Sequence, residues 1–362
     1  PDKNPAVTKQ YGVTTYGTIV LESGTKETKI QNPNEENLTN ALLKVTRDEQ
    51  KTIYFLEGHG ENQITSVENE GYQTAKTNLE QDGFLVKPLL LLRTGEVPED
   101  ASVLVVAGPK KPIQAEEQKS IQYYLDKGGA VMMLVDPQSK FGMEPFLKTW
   151  GILLGGDIVI DPMSKLFGGD FAAPVVNQYT VHDITSEFVL ATIFPIIQSV
   201  RGIPGSKIET VELLKTSANS WGESDFESGA VKFDAGSDLK GPVPVAVVST
   251  KLLETEKPHS ENEEPHEHKE PQPKATLIVI GDSDFSNNRY SNFSGNGDFF
   301  LNTVSWLAEE DNLISIRPKE RKNTPVHITR AWGTAIFVLG LLVFPGLVAG
   351  IGIRIWWKRR GL

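Results

Sequence analysis

Lys51-Thr-Ile-Tyr-Phe-Leu-Glu-Gly-His-Gly-Glu61 is the stretch that decides the fold. Thr52 to Leu56 are apolar or β-favouring, and the run stops abruptly at a polar, glycine-rich turn. A short apolar run bounded in this way reads as a strand covered on both faces, the condition of strands in a parallel sheet. The pattern returns at Phe84 to Pro88, Ser102 to Ala107, Ala130 to Val135 and Thr276 to Ile280. Helical periodicity occupies intervals near Gly71 to Gln81, Ile113 to Lys127 and Asp298 to Leu307. Strands alternating with helices predict βαβ crossovers. The fold class expected is therefore α/β, a mostly parallel sheet with helices on both faces, of the flavodoxin- or amidotransferase-like kind.

Working outward, residues 1–48 read as a β-β-α fragment. It has a strand at Gly17 to Glu22, a Ser23-Gly24 turn, a strand at Lys26 to Ile30, and a helix from about Asn34 with Leu38, Leu42 and Val45 on one face. Residues 49–318 form the α/β domain. Within it, residues 151–240 carry Gly168-Gly169, Pro174, Pro195 and Pro204 among short strand-like runs at Asp157 to Ile160 and Val211 to Leu214, the texture of a β-rich insertion. Residues 251–274 hold seven glutamates, four prolines, four lysines and three histidines. Such a stretch buries too little to offset its ordering entropy, so a mobile acidic loop is expected. His259, His266 and His268 could catch a cation there, but a solvated spacer is the simpler reading, and no metal or cofactor is assigned.

The 362 residues hold 36 basic and 47 acidic side chains and no cysteine. Disulfides, thiolate nucleophiles and cysteine-ligated metals are excluded. Every acidic residue precedes Ala331, and residues 1–329 carry 31 basic residues against those 47, a net charge of −16. Nucleic acid is an unsuitable partner for such a surface. Ala331 to Ile353 is a run of 23 uncharged residues, about 35 Å as a helix, long enough to cross a bilayer. Trp332 marks one edge, Trp356 and Trp357 the other, and Lys358-Arg359-Arg360 closes it. A transmembrane helix is expected at 331–353, after a juxtamembrane linker at 319–330 and before a basic tail at 354–362. Pro345 suggests a kink, and Gly346 and Gly350 have the spacing of a helix-packing face. Basic residues on both sides leave the orientation open on charge alone.

Chemistry in an open parallel sheet collects at the carboxyl ends of its strands. Here those ends read Glu57-Gly-His-Gly-Glu61, Ala107-Gly-Pro109, Asp136-Pro137 and Gly281-Asp-Ser-Asp284. His59, Glu61, Asp136, Asp282 and Asp284 are the candidate binding residues, although Asp and Gly at such positions also make turns and helix caps. Named motifs fail. A calcium loop from Asp282 would need Gly at its sixth position and Glu at its twelfth, where Asn287 and Phe293 stand. There is no phosphate-binding Gly-x-x-x-x-Gly-Lys-[Ser/Thr] and no Gly-x-Ser-x-Gly elbow. A metal-dependent hydrolase using Asp282, Asp284, His59 and Glu61 stays open as an alternative to a binding subunit, as does a plain structural spacer.

Taken in order, Lys51 to Glu61, Val105 to Pro109, Gly128-Gly129 before Asp136-Pro137, Gly281 to Phe285, Asn296 to Leu307 and Ile314 to Glu320, ending in an apolar segment with a basic tail, resemble the auxiliary subunit of ABC transporters. The family is the GldG type, named for the gliding-motility transporter. The resemblance implies a non-enzymatic extracytoplasmic domain anchored in the bacterial inner (cytoplasmic) membrane. Its partners would be a permease and a separate P-loop ATPase in a hetero-oligomer, with residues 354–362 on the cytoplasmic side and lipid around the span. Residues 1–48 faintly resemble the second half of a thioredoxin-like domain, with Gly17 where a cis proline is usual. The resemblance implies that a membrane segment and the first half of that domain precede Pro1, or that another chain completes it.

Overall fold

In the computed structural model, which describes residues 4–31, 33, 35–46, 50–226, 231–253, 273–309 and 344–360, the decisive run Thr52–Leu56 is a strand buried at every position. The chain opens with α1 (Pro5–Gln10), a hairpin of β1 (Ile19–Ser23) and β2 (Lys26–Ile30), and α2 (Glu35–Thr46). The hairpin and α2 make a β-β-α unit, with Ile19 opposite Ile30 in the antiparallel register, and α1 before it has no counterpart in the sequence reading.

Next come β3 (Thr52–Leu56), α3 (Gln73–Gln81), β4 (Leu85–Leu89), α4 (Leu91–Thr94), β5 (Ala101–Ala107), α5 (Ala115–Asp126), β6 (Ala130–Leu134) and α6 (Glu144–Thr149). Short strands follow: β7 (Ile152–Leu154), β8 (Ile158–Ile160), β9 (Val175–Val176), β10 (Gln178–Tyr179), β11 (Thr192–Ile193) and β12 (Val200–Gly202). Then come β13 (Glu209–Lys215), β14 (Trp221–Glu223), β15 (Leu239–Lys240), β16 (Pro244–Leu252), β17 (Lys274–Ile280) and α7 (Asn296–Leu307).

Eight strands form one sheet in the order β10-β13-β16-β17-β6-β5-β3-β4. The five strands β17, β6, β5, β3 and β4 run parallel. The remaining three are added antiparallel beyond β17. The parallel part carries the flavodoxin-like order, in which the second strand lies outside the first and the later ones on its other side. The stretch expected as an insertion thus supplies β10 and β13 to the main sheet. The rest of it builds small sheets that pair β7 with β12, β9 with β11, and β8, β14 and β15 in series. Strand β16 has no counterpart in the sequence reading. The acidic stretch begins and ends in strand, since Lys251 and Leu252 close β16 and Lys274 opens β17; residues 254–272, with the three histidines, lie outside the described residues.

Period-two alternation sends neighbouring side chains of each strand to opposite faces, so the sheet has two cores. On one, Ile53, Phe55, Val103, Val105 and Met132 meet Ala75 and Leu79 of α3 and Phe299, Phe300 and Val304 of α7. On the other, Tyr54, Leu56, Leu104, Val106 and Val131 meet Ile121 and Leu125 of α5 and Leu147 of α6. Each such side chain contributes about 1.5–3 kcal/mol by leaving water. Tyr72 packs edge-on between Phe55 and Phe300, ring centres 6.2 and 6.1 Å away.

Residues 318–362 form a separate compact unit. Its described part is one helix, α8 (Phe344–Arg360), 17 residues long. Pro345 stands in its first turn, and Gly346, Gly350, Trp356 and Trp357 are exposed on it. Among the described residues no helix is long and apolar enough to cross a membrane. Trp332 and the first thirteen positions of the expected span, 331–343, lie outside the described residues.

Candidate functional site

The carboxyl ends of β3, β5, β6 and β17 share one edge, since Ala107 lies beside Leu134 and Leu134 beside Ile280. From β3 the chain leaves for β4 on one side, and from β5 for β6 on the other. Loops diverging in this way mark the point where ligands of open α/β sheets collect. All five candidate residues stand on this edge, in two groups.

The first group is built on the turn after β3. Gly60 adopts φ +85°, a left-handed conformation that side-chain-bearing residues rarely take. The chain folds back there, so the His59 N–H donates to Glu61 Oε2 at 2.7 Å while His59 Nδ1 lies 2.9 Å from Glu61 Oε1. His59 Nε2 lies 2.8 Å from Glu117 Oε2, an atom that also accepts the Gln114 N–H at 3.1 Å. Glu117 is the third residue of α5 and closes a capping box with Gln114. All three side chains are buried. Each of the two ring contacts needs a proton, and a neutral imidazole supplies only one. The trio uses both ring nitrogens of His59. It welds the β3 turn to the start of α5.

The second group joins β6 to β17. Asp136 accepts the Ser283 N–H at 2.6 Å and the Ser283 hydroxyl at 2.9 Å, and Asn62 Nδ2 donates to the same hydroxyl at 3.1 Å. Tyr72 OH donates to the Ser283 carbonyl, and Ser286 Oγ donates to Tyr72 OH at 2.9 Å, which ties the group to the aromatic core. Gly108, at φ +67°, covers it. A Cβ there would lie 2.5 Å from Ser283 Oγ, 3.1 Å from Asp136 Oδ2 and 3.2 Å from Asn62 Nδ2. Glycine is required for this approach as well as for the backbone angle. Asp282 accepts the Asp284 N–H at 2.9 Å through Oδ1, and Oδ2 has no hydrogen-bond partner among the described residues. Asp284 Oδ1 takes the Asn287 amide at 2.9 Å.

Burial dominates the electrostatics of this second group. It pushes the Asp136 carboxyl up to about 6 against the opposing Ser283 donors. It holds Asp282 well above the carboxylate range, with the charges of Asp136 and Asp284 adding to the effect. Asp284 is raised by burial too, and the Asn287 amide works against the rise. Buried carboxyls that lack a full cationic partner shift in this direction because the charged form loses hydration.

The five residues therefore share an edge without meeting at one centre. His59 and Glu61 are spent on each other and on Glu117; Asp136 and Asp284 are spent on serine and asparagine, and Asp282 on backbone through Oδ1 alone, while Asp282 Oδ2 and Glu117 Oε1 have no partner among the described residues. Among the described residues no group of three His, Asp or Glu side chains could hold a metal ion. Gly58, Gly60, Lys110 and Lys111 are exposed on this crest, and Asp136 and Asp284 are partly exposed. The sequence reading passed over Glu117, Asn62, Ser283 and Tyr72. For Glu117 a signal existed: it occupies the helix stripe continued by Ile121 and Leu125, an acidic residue on an apolar face.

Comparison with known proteins agrees with the fold. The N-terminal domain of mmIFT52 superposes with a TM-score of 0.50 at 15% identity, over 71% of this chain and 97% of that one. A ThuA-like protein from Bacteroides uniformis gives 0.41 at 13% identity, over 71% and 91%. At these identities the first likeness concerns fold alone, and the second carries no argument. No curated protein matches the chain. Residues 50–303, from just before β3 into α7, match the family described as ABC-type uncharacterized transport system.

Proposed function

Because the chain belongs to this family of ABC-transport auxiliary proteins, we propose that it is a membrane-anchored, extracytoplasmic accessory subunit without catalysis of its own. The span at 331–353 moors it in the bacterial inner membrane beside a permease, and a separate ATPase chain supplies energy. The crest at the strand ends, with Lys110 and Lys111 exposed over the two buried groups, is the face that receives substrate or partner. The observation that carries this reading is how the crest residues are used. His59, Glu61, Asp136, Asp282 and Asp284 each make an internal hydrogen bond, and only Lys110 and Lys111 among the charged side chains named there face outward. A reaction centre needs a nucleophile, base or metal-ligand set free to face substrate; a rigid docking crest needs the opposite.

Gentle detergent extraction followed by affinity purification of the full chain tests the assembly. Co-isolation of a polytopic permease and a P-loop ATPase is the expected result. Recovery as a lone monomer from membranes that hold both would overturn the reading. Hydrolysis of a compound by the purified chain alone would overturn its non-catalytic part.

A further inference from the structure

Residues 171–182, 188–200 and 290–297 contain no Asp, Glu, Lys or Arg. In a domain of net charge −16 these are neutral islands, and the fold brings them to one place. The pairing of β9 with β11 sets Val175 opposite Ile193, and the Gly295 N–H donates to the Ala191 carbonyl at 2.9 Å, stitching the third stretch to the second. Together they enclose a concavity of about 290 Å³ lined by Ala173, Val175, Asn177, Ala191, Ile193 and Ser294. Large apolar side chains from these stretches and from the loop that leads into them stand in solvent. Leu166 is 74% exposed, Phe171 45%, Val189 87% and Phe293 50%. Lys165, the cation of that loop, sits 4.7 Å from the Phe171 ring centre and 4.0 Å from Asp170. Exposed apolar side chains on or beside neutral stretches of a strongly acidic domain mark a contact.

We infer that this face is a lipid-contacting surface, seated on the headgroup and upper acyl region of the bilayer that holds the chain's own span. The inference rests on the membrane-anchored reading above. An anionic headgroup layer repels carboxylate-rich surface and admits its closest approach where carboxylates are few; here Asp170 is paired with Lys165 at 4.0 Å, and Asp183 and Glu187 lie between the first two neutral stretches. Residues 310–330 separate the sheet domain from the uncharged run, and 21 residues reach at most about 70 Å when extended, so the tether permits the contact. Leu and Phe side chains entering the interface each gain free energy by leaving water, and tethering raises their effective concentration at the membrane.

The absence of cysteine makes the test clean. Single cysteines are introduced in the full chain as Leu166→Cys, Val189→Cys and, as a control on α5, Tyr123→Cys; all three positions are exposed. Each is labelled with an environment-sensitive fluorophore and reconstituted in phosphatidylethanolamine–phosphatidylglycerol vesicles containing nitroxide-labelled lipid. Labels at 166 and 189 are expected to lose roughly half their emission in a salt-insensitive way, while the label at 123 keeps its own. Equal quenching at all three positions, or none at 166 and 189, overturns the inference. So does shielding of 166 and 189 that appears only when a permease is added. Flotation of the unlabelled chain with vesicles is scored separately: its loss refutes the anchored reading, whereas flotation without quenching refutes the lipid face alone.

Discussion

Two groups of side chains cap the same sheet edge and bury carboxyl groups by opposite means. At β3, Glu61 and Glu117 close on the two ring nitrogens of His59 at 2.9 and 2.8 Å. At β6 and β17, Asp136, Asp282 and Asp284 are met by hydroxyl, amide and backbone N–H, and all three have raised pKa values. The difference teaches that the edge is one rigid clamp and one proton-sensitive seam. The clamp fixes a turn against a helix. The seam, which holds Ser283 between Asp136 and Asn62, is where the crest responds to its surroundings.

The largest effect expected is at the clamp. His59→Ala leaves two buried carboxyl groups without their shared ring partner, which costs about 3–5 kcal/mol. The shift of the urea midpoint measures it, and a loss below about 1 kcal/mol, the level of an exposed pair, would erase the distinction between the groups. The seam makes a prediction about pH. In the fold Asp136 keeps its proton up to about 6, whereas an unfolded aspartate releases it near 3.8. Between these values the folded state binds more protons, so this group's contribution is complete below the lower value and is lost as pH rises through the upper one. Asp136→Asn removes that slope. The variant gains relative to the unaltered chain, by up to about 3 kcal/mol between pH 4 and pH 7, read from midpoints at both values. A constant difference across that range would show that the seam does not titrate. The smallest effect comes from the cover. Gly108→Ala costs about 2 kcal/mol through backbone strain and the collision with Ser283 Oγ. In a Ser283→Ala background the collision disappears and the cost is expected to fall, a coupling that a double-mutant cycle detects.

The same contrast explains what could be read in the sequence. Strands β3, β5, β6 and the later half of β17 announce themselves because both faces are covered and their residues are continuously apolar. Helices α3, α5 and α7 keep their period. Strand β16 escaped because its partner β17 lies across a long acidic stretch, where a hairpin connection is normally a few residues, and because Ser249, Thr250 and Lys251 dilute its apolar run. Val211 to Leu214 was legible as strand, but nothing local says which sheet it joins; long-range pairing decides that. At the crest, His59 and the aspartates stand out as polar residues directly after apolar strands. Their partners do not. Glu117 lies 58 residues from His59, and Ser283 lies 147 from Asp136, so only the assembled sheet reveals which carboxyl each satisfies.

The proposed docking role of the strand-end crest within a transport assembly depends on what lies against it in native membranes. A photo-crosslinking residue placed at exposed Lys110, with a control at exposed Lys240 on β15, tests it in native membranes. A discrete adduct with another subunit is expected from position 110 and none from position 240. Adducts from 240 alone, or none from 110 while the complex still co-purifies, would contradict it.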